Sequence, residues 1–545
     1  SGLSLTVNAV FDEAIERGGR IALISQSGSM MGGLMSRAAS LGLKFSKIAA
    51  VGNEADLGVG EIGQMLVGDP ETDVILLFLE TIRRPDEIAK FAVAAHAAGK
   101  PIIAFKLGRS SVGQQLAVAH TGALLSEDSL VDAFFQDLGI VRVTVLEALI
   151  EAATLCRGKR PIGKRRPKVG VVTTTGGGGA SACDQLSYVG VDLLTPCDAT
   201  IDKIRATGIN VGKGPMTDVT LAGARAEIIG PSLSAMADDP DCDIVLAVLG
   251  SSSRASPETA LPPVIEADVG EKTLAAFLVP DAAAGLRLLI ESGIPAFRTP
   301  ESCADALRAF GRWQEPRITS ISPVSLGEGI KTLNEHDSLK VFGELGIPTV
   351  PSVSVEISAI RDVALPFEFP VVAKVLSDKI AHKTDAGGVI IGIEDRDALA
   401  KAAQQIKGSV ETANAGVVVN QVLVEPVVSG LQEVLVGYHV DQQVGPVVTV
   451  APGGIHVGVY DDKAVRLAPV DLTTAHEMID DVVGFAPLRG HRGGAKGDMA
   501  SLANIIVAMS NLAVRSDIDV IEAEANPIIV SSAAAIAVDA LVRVG

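Results

Sequence analysis

Aromatic residues and cysteines are scarce in this chain, and long apolar runs are missing. Only 3% of the 545 residues are aromatic, with one tryptophan, and the five cysteines are an odd number without a CxxC pair. This pattern excludes a disulfide framework and a structural zinc site, and it is typical of a cytoplasmic protein. Because no apolar run reaches the roughly 18 residues needed to cross a bilayer, we expect a soluble protein without a membrane partner.

Positive charge is also in short supply. The chain has 46 Lys and Arg against 65 Asp and Glu, a net charge of −19, and the acidic residues are spread along its length. Such a balance argues against nonspecific binding to nucleic acid. Hydrophobic residues make up 48% of the chain and glycine is abundant at 56 residues, which favours α/β layers. The length predicts roughly three to four domains.

Short apolar strands alternate with helix-length segments in two successive blocks. The predicted strands of the first block are 21–25, 47–51, 74–79 and 102–106, and those of the second are 168–173, 191–194, 244–249 and 274–279. Strands separated in this way predict two parallel sheets with right-handed crossovers. Residues 157–167 and 312–331 carry prolines and polar residues and are typical of linkers.

The pattern changes in the last block, where strands follow one another with fewer helices between them. We predict a helix at 335–345 and strands at 371–376, 389–393, 417–424, 433–438 and 446–450. This order predicts an α+β unit with antiparallel sheet.

Two strand–helix turns carry small polar residues and glycines. Ser27 and Gly28 follow the first predicted strand, and Gly177 and Gly178 lie in a run of four glycines after strand 168–173. The first N–H groups of a helix can bind an anion, so both turns are candidate phosphate sites. The alternative for Ser27 is an ordinary helix N-cap. Neither turn matches the P-loop or the dinucleotide-binding pattern.

Two of the eight histidines, His120 and His382, stand in loop-like runs next to glycine. A neutral imidazole can accept a phosphoryl group and pass it on, so a pair suggests a relay. Glu80 ends the apolar strand 74–79, where a carboxylate could orient a histidine. The alternatives are a loop histidine that caps the next helix and a solvated acid at a strand end.

Charged residues in the last block suggest a nucleotide site. Lys374 lies inside an apolar strand and needs an anionic partner, such as a phosphate, unless it reaches solvent from an edge strand. Glu425 ends another strand and is placed to contact an adenosine, unless it is simply solvated. Glu522, Glu524 and Asn526 alternate and would share one strand face. Their oxygens suit Mg²⁺, although a polar strand face is the alternative.

Taken together, these motifs resemble the NDP-forming (ADP-forming) acyl-CoA synthetase family, relatives of succinyl-CoA synthetase. The resemblance covers nearly the whole chain and depends on the order and spacing of the motifs. They are Ser25-Gln26-Ser27-Gly28, Gly52-Asn53-Glu54-Ala55-Asp56, Glu80, Gly108-Arg109-Ser110, His120-Thr121-Gly122-Ala123-Leu124, His382-Lys383-Thr384-Asp385-Ala386-Gly387-Gly388, Arg466-Leu467-Ala468-Pro469 and Asn526-Pro527.

The resemblance implies a multidomain α/β protein. Two flavodoxin-like parallel-sheet domains would occupy 17–160 and 161–316, followed by a linker at 317–331 and an α+β ATP-grasp domain at 332–545. Residues 1–16 look like the tail of the family's CoA-binding Rossmann domain, and the chain opens without Met, so we expect most of that domain to be missing. A homodimer is expected.

The resemblance also implies a reaction in which a carboxylic acid, CoA and ATP give acyl-CoA, ADP and phosphate, with Mg²⁺ as metal. His382 would carry the phosphoryl group from ATP to His120, which Glu80 holds, and the acid would leave as an acyl phosphate for attack by CoA. The other implied site residues are Ser27, Gly28, Gly177 and Gly178 for phosphate, Lys374 and Glu425 for ATP, and Glu524 and Asn526 for the metal.

The chain departs from the family pattern at three places. Thr174-Thr175-Gly176-Gly177-Gly178-Gly179 replaces the usual Asn-Ala-Gly-Gly-Pro-Gly, Glu524 stands where Asp is usual, and Gly458 stands where many members carry Glu. Two other functions stay open, a same-superfamily enzyme that adds a further step such as lyase chemistry and a non-catalytic paralogue. The presence of Glu80, His120 and His382 favours catalysis. Metal-dependent hydrolysis is disfavoured, because neither histidine lies in an HxxxH or HExxH motif.

Overall fold

The computed structural model describes residues 18–113, 126–163, 166–220, 225–318, 321, 329–380, 383–414, 416–454 and 462–545. His120, His382, Gly458 and residues 1–16 lie outside these ranges. The chain divides into two units, Ser1–Ser322 and Pro323–Gly545. Within the described ranges, no helix combines the length and the apolar character that crossing a membrane requires.

The first unit begins with a parallel sheet. Its described strands are β1 (Ile21–Ser25), β2 (Phe45–Ala50), β3 (Val74–Leu79), β4 (Ile102–Lys106) and β5 (Val141–Val143), in the order β2-β1-β3-β4-β5. The accompanying helices are α1 (Gly28–Ser40), α2 (Val59–Val67), α3 (Pro85–Ala97), α4 (Asp128–Asp137) and α5 (Leu146–Cys156). Strand β3 is a continuous apolar run, and every residue in it is buried, as expected for a strand covered on both faces.

A second parallel sheet follows in the same unit. Its described strands are β6 (Lys168–Thr173), β7 (Asp192–Leu193), β8 (Thr217–Asp218), β9 (Ile244–Leu249), β10 (Thr273–Leu278) and β11 (Ala296–Phe297), in the order β11-β10-β9-β6-β7, with β8 paired to β6. The helices are α6 (Gly176–Tyr188), α7 (Asp198–Arg205), α8 (Ala226–Ala237), α9 (Ser252–Ala255), α10 (Pro257–Ala260), α11 (Pro262–Ile265), α12 (Ala283–Glu291) and α13 (Pro300–Gly311). The expectation of parallel sheets in both blocks is confirmed.

The two parallel sheets share one continuous hydrophobic core. Helix α13 also reaches the start of α5, where the Asp305 carboxylate accepts hydrogen bonds from the backbone N–H groups of Thr144 at 2.6 Å and Val145 at 2.8 Å. This carboxylate holds the backbone immediately before the start of α5, where the N-cap residue Val145 makes no side-chain hydrogen bond. The first unit therefore packs as one body around both sheets.

The segment after α13 is also packed on the first unit. Trp313 is 5% exposed, and its ring N–H donates to the Gly139 carbonyl at 2.9 Å. Arg317 pairs with the Asp137 carboxylate at 2.8 Å. Two residues of the segment predicted to be a linker from residue 312 onward, Trp313 and Arg317, thus contact the first unit.

The second unit is built from antiparallel sheets, as predicted. Its described strands are β12 (Lys331–Thr332), β13 (Val353–Glu356), β14 (Val371–Val375), β15 (Val389–Ile393), β16 (Gln421–Pro426), β17 (Gln432–Asp441), β18 (Gly445–Pro452), β19 (Ala464–Leu467), β20 (Val520–Val530), β21 (Ala535–Ala537) and β22 (Ala540–Val544). The four-stranded sheet has the order β13-β16-β14-β15, and the larger sheet has the order β12-β22-β20-β17-β18-β19 with β21 on β20. The longer helices are α14 (Glu335–Glu344), α15 (Arg396–Ala413), α16 (Leu472–Asp481) and α17 (Met499–Ser510).

Strand alternation separates the two faces of β14. Val371, Ala373 and Val375 pack into the core that the four-stranded sheet shares with α15. Lys374 therefore points to the opposite face, together with its cross-strand neighbour Leu423, which belongs to the core of the larger sheet. This places a lysine where the two sheets of the second unit face each other.

Candidate functional site

Gln26 organises the carboxyl edge of the first sheet. It follows β1 directly and is 7% exposed. Its side-chain oxygen accepts hydrogen bonds from the backbone N–H groups of Glu80 at 2.5 Å and Thr81 at 3.0 Å. Its side-chain nitrogen donates to the Thr81 carbonyl at 2.9 Å and to the Glu54 carboxylate. All four hydrogen-bonding positions of this amide are used, so Gln26 fixes the end of β3 beside the loop that carries Glu54.

Glu54 occupies a strained backbone position at the same edge. Its φ is 55°, in the left-handed region that non-glycine residues rarely adopt, and the residue is 6% exposed. The other carboxylate oxygen accepts from the Val59 N–H at 2.9 Å, at the start of α2. Because such strain persists only where neighbours enforce it, Glu54 is a positioning group that sequence reasoning placed in a motif without assigning a role.

Glu80 is buried at this edge, at 9% exposure, and its backbone is held by Gln26. A solvated acid at a strand end is therefore excluded. Ser27 occupies the N-cap position of α1, but its side chain makes no capping hydrogen bond. Gly28 is exposed, and no described atom lies within 4 Å of the place a Cβ would take. Among the described residues, Gly28 thus has space where a side chain would stand, and Ser27 is not an ordinary cap.

The second sheet repeats the hydrogen bonding of this turn. Ser25 Oγ accepts from the Ser27 N–H at 3.1 Å, and Thr173 Oγ1 accepts from the Thr175 N–H at 3.0 Å. Thr174 then accepts from the Gly250 N–H at 2.9 Å, just as Gln26 accepts from Glu80. The two sheet edges therefore have the same hydrogen-bond pattern, but a glycine stands in the second sheet where the first has a glutamate. Gly250 thus occupies in the second sheet the position that Glu80 has in the first.

Three glycines of the second turn, Gly176, Gly177 and Gly178, differ in their surroundings. Gly177 borders open space, whereas a Cβ on Gly178 would lie 2.4 Å from Val279 Cγ2. Gly176 lies close to a carboxylate, since its Cβ would stand 2.9 Å from Asp218 Oδ2. Close helix–strand packing therefore explains Gly178 without a ligand, while Gly177 stays a predicted phosphate contact.

A buried ion cluster lies between the sheets of the second unit. It consists of Glu335, Lys374, Lys383, Glu425 and Asp539. Lys374 Nζ is 2.7 Å from Glu335 Oε1 and 2.8 Å from Glu425 Oε2, and Lys383 Nζ is 2.8 Å from both Glu335 Oε2 and Asp539 Oδ1. The Glu335, Lys374 and Glu425 side chains are 0%, 8% and 2% exposed. Two ammonium groups thus face three carboxylates.

The structure brings the predicted ATP residues Lys374 and Glu425 together. Neither is solvated, so the edge-strand lysine and the solvated acid are excluded. Burial favours the neutral form of Lys374, but Glu335, Asp539 and Glu425 outweigh it and raise the pKa of the ammonium. Burial, helped by the negative charges of Glu335 and Asp539, outweighs Lys374 and raises the pKa of Glu425 to about 7. Glu425 Oε1 has no hydrogen-bond partner among the described residues.

This pKa predicts how Glu425 affects stability. The folded state binds the Glu425 proton more tightly than the unfolded chain between the ordinary pKa of 4.5 and about 7. Stability should therefore fall as pH rises through this window, by up to about 3 kcal/mol. Glu425→Gln removes that loss, so its Tm relative to the parent protein should rise between pH 5 and pH 8, measured by calorimetry.

Glu433→Gln is the matched control, since Glu433 is exposed on the neighbouring strand β17. The difference between this control and the parent protein should not change with pH. An equally constant difference for Glu425→Gln would show that Glu425 is ionised throughout this range.

The predicted metal residues Glu524 and Asn526 share one face of β20. Asn526 Nδ2 donates to Glu524 Oε1 at 3.2 Å, and Asn526 Oδ1 accepts from the Gly454 N–H at 3.3 Å. Glu522 instead pairs with Arg543 at 2.8 Å. Among the described residues, no group of three His, Cys, Asp or Glu side chains could hold a metal. Glu524 and Asn526 stay the predicted Mg²⁺ residues, since their side chains carry two hard oxygen donors on one strand face.

The central histidines, His120 and His382, lie outside the described residues, and the structure does not test their roles. It adds five residues that have no assigned role in the sequence analysis, namely Gln26, Glu54, Glu335, Lys383 and Asp539. Acidic residues are common in the first turn of helices, so the local sequence around Glu335 does not indicate that it belongs to a buried ion cluster.

Comparison with known families agrees with these two units. The ATP-grasp domain model matches residues 325–544, and the model described as a succinyl-CoA ligase like flavodoxin domain matches residues 18–156. The first match covers the second unit with its ion cluster. The second covers the sheet whose edge carries Gln26 and Glu80.

Three curated relatives align over 96% of this chain. They are an ADP-forming acetate–CoA ligase I of Archaeoglobus fulgidus at 30% identity, a 4-hydroxybutyrate–CoA ligase (ADP-forming) of Nitrosopumilus maritimus at 26%, and a trans-feruloyl-CoA synthase of an unknown prokaryotic organism at 28%. The aligned regions cover 78%, 78% and 76% of these proteins. The chain therefore belongs to the ADP-forming acyl-CoA synthetase family.

Proposed function

We propose that this chain is a carboxylate–CoA ligase that forms ADP and works through two phosphohistidines, His382 and His120. The observation that supports it most directly is the buried pair of Lys374 and Glu425, 2.8 Å apart on the face between the sheets of an ATP-grasp unit. A lysine there can bind nucleotide phosphates, provided that one of its carboxylate partners no longer pairs with it. Glu425, with its raised pKa, is suited to release Lys374 by taking a proton.

The first step transfers the γ-phosphoryl group of ATP to His382. The unprotonated ring nitrogen attacks phosphorus, the bond to the bridging oxygen breaks, and ADP leaves with that electron pair. Lys374 stabilises charge on the phosphates as they separate. Mg²⁺, which would be bound through Glu524 and Asn526, supplies further positive charge to the nucleotide phosphates.

The second part of the reaction takes place on His120. His382 passes its phosphoryl group to His120, whose other ring nitrogen donates to the Glu80 carboxylate. Ser27 and Gly28, at the N-terminus of α1, and Gly177, at the N-terminus of α6, stabilise the phosphate dianion. The acid's carboxylate then attacks phosphorus and frees the histidine. The CoA thiolate finally attacks the acyl carbon, and phosphate leaves.

The proposal also includes the domain limits, the oligomeric state and the location of the protein. The domain limits are 17–160, 161–316 and 332–545, with a linker at 317–331, and the active form is a homodimer in the cytoplasm. The acid is left open, because relatives named for acetate, 4-hydroxybutyrate and ferulate match this chain at similar identity.

Labelling with γ-³²P-ATP and Mg²⁺ tests this function. We expect a phosphoprotein that is stable to base and labile to acid, since phosphohistidine has this behaviour and phosphoserine does not. Adding the correct acid should discharge the label as acyl phosphate, trapped with hydroxylamine as a hydroxamate. Acetate, 4-hydroxybutyrate and ferulate form the first panel of acids.

α-³²P-ATP is the control, because it labels only protein that retains the nucleotide. A label that survives acid, or that appears equally from α-³²P-ATP, would contradict a phosphohistidine enzyme. Discharge without hydroxamate, whatever acid is added, would point to a phosphatase-like function instead of a ligase.

A further inference from the structure

Lys383 is a buried cation that the reaction described above does not use. It directly follows His382 in the sequence, and its side chain is 10% exposed. Burying an ammonium is costly unless it is paired, and Lys383 meets two carboxylates at 2.8 Å, Glu335 and Asp539. These carboxylates outweigh burial and raise the pKa of Lys383. The group is therefore a permanent cation.

Two bridges connect Lys383 to Lys374. The first is the Glu335 carboxylate, which contacts Lys374 with Oε1 and Lys383 with Oε2. The second is the Val538–Asp539 backbone, since the Val538 carbonyl accepts from Lys374 Nζ and the Asp539 carboxylate pairs with Lys383. The lysine proposed for ATP and the residue after His382 are thus fixed to the same two elements.

The backbone at Lys383 is held as firmly as its side chain. The Lys383 carbonyl accepts from the Gly388 N–H at 2.7 Å, and the Gly388 carbonyl accepts from the Val375 N–H at 2.8 Å in β14. A Cβ on Gly388 would lie 2.7 Å from Val375 Cγ1, and Gly387 has a φ of 67°. Gly387 and Gly388 therefore permit the tight turn that leads from Lys383 into β15.

We infer that Lys383 is a positioning residue for phosphoryl transfer, which fixes the chain next to His382 relative to the phosphates bound at Lys374. This inference depends on the proposed role of His382. Burial raises the pKa of Glu335. At Asp539, Lys374 and Lys383 outweigh burial and lower the pKa of the carboxyl, so this partner of Lys383 keeps its charge. Lys383 therefore does not itself bind the nucleotide, whereas Glu425 can release Lys374 by taking a proton.

Single-turnover labelling with saturating γ-³²P-ATP, together with calorimetric measurement of the ATP Kd, tests the inference. We expect Lys383→Met to slow labelling by about 100-fold, because small displacements of reacting groups cost this much, while the Kd changes less than about threefold. Lys383→Arg keeps the charge and should recover at least about a tenth of the parent rate. Lys379→Met, at an exposed position four residues earlier, should behave like the parent protein.

The outcomes separate this inference from the proposed function. Loss of labelling in His382→Ala with a normal rate in Lys383→Met would overturn the positioning role alone. Normal labelling in His382→Ala would overturn the proposed function itself. A Kd that weakens as much as the rate would make Lys383 a nucleotide ligand instead. If Lys383→Met does not fold, Lys383→Met with Asp539→Asn removes the unpaired carboxylate and permits the same measurement.

Discussion

Substituting alanine for His382 should prevent any labelling of the protein by γ-³²P-ATP, and substituting alanine for His120 should leave a label that no acid can discharge. The two variants should differ because, in the proposed relay, His382 accepts the phosphoryl group first and His120 delivers it to the acid. Acid-dependent ADP release should fall by at least about 1,000-fold in both, since each loses a covalent intermediate. Rapid-quench labelling with peptide mapping measures the first effect, and a coupled ADP assay measures the second.

His476→Ala is the matched control for these variants. His476 is exposed on α16, and its replacement should change neither labelling nor ADP release. If His120→Ala still forms hydroxamate from an acid, the acid takes its phosphate elsewhere and the relay is wrong. If mapping places the label of the parent protein only on other residues, neither histidine is a carrier.

Lys374→Met should have the next largest effect, because it acts on stability and on chemistry together. Without the ammonium, Glu335 and Glu425 lose a cation that lies 2.7 Å and 2.8 Å away in a buried cluster. Breaking a buried pair on one side costs about 3–5 kcal/mol, so the calorimetric Tm of the second unit should fall. Labelling from ATP should drop at least about 100-fold, since a fixed charge at the transferring group is lost.

A second substitution separates the two effects. The double variant Lys374→Met with Glu335→Gln removes one of the two carboxylates left without a cation. Lys383 still has Asp539 as its partner. We expect most of the lost stability to return and the labelling rate to stay low. Normal labelling in this folded double variant would mean that Lys374 is structural and that ATP phosphates bind elsewhere. Lys379→Met serves again as the exposed control.

Much of the fold could be predicted because hydrophobic pattern and strand order are local properties. Strands β1, β3 and β4 begin and end where their apolar runs do, whereas β2 lies at 45–50 and not at 47–51. Strand β5 was missed because it has three residues and Arg142 interrupts it. Arg142 is buried there by pairing with Asp128 and Asp132, which no pattern within the strand indicates.

The candidate site could be predicted only where position along a strand carries the information. A charged residue inside an apolar strand or at its end indicates a functional position, and this pattern applies to Glu80, Lys374 and Glu425. Their partners come from far along the chain, and the contact of Lys383 with Asp539 spans 156 residues. Glu54 depends on a left-handed turn that only the folded loop creates. Long-range ion pairs and enforced backbone strain are properties of the tertiary structure, so the sequence alone does not reveal them.

Trp313 is the only tryptophan in the chain, and it lies buried in the first unit against the Gly139 carbonyl. Its fluorescence should therefore report on the melting of that unit, which gives the protein an internal optical probe. Lys374 lies in the second unit, so we expect Lys374→Met to lower the calorimetric Tm of that unit and to leave the midpoint seen by tryptophan emission unchanged.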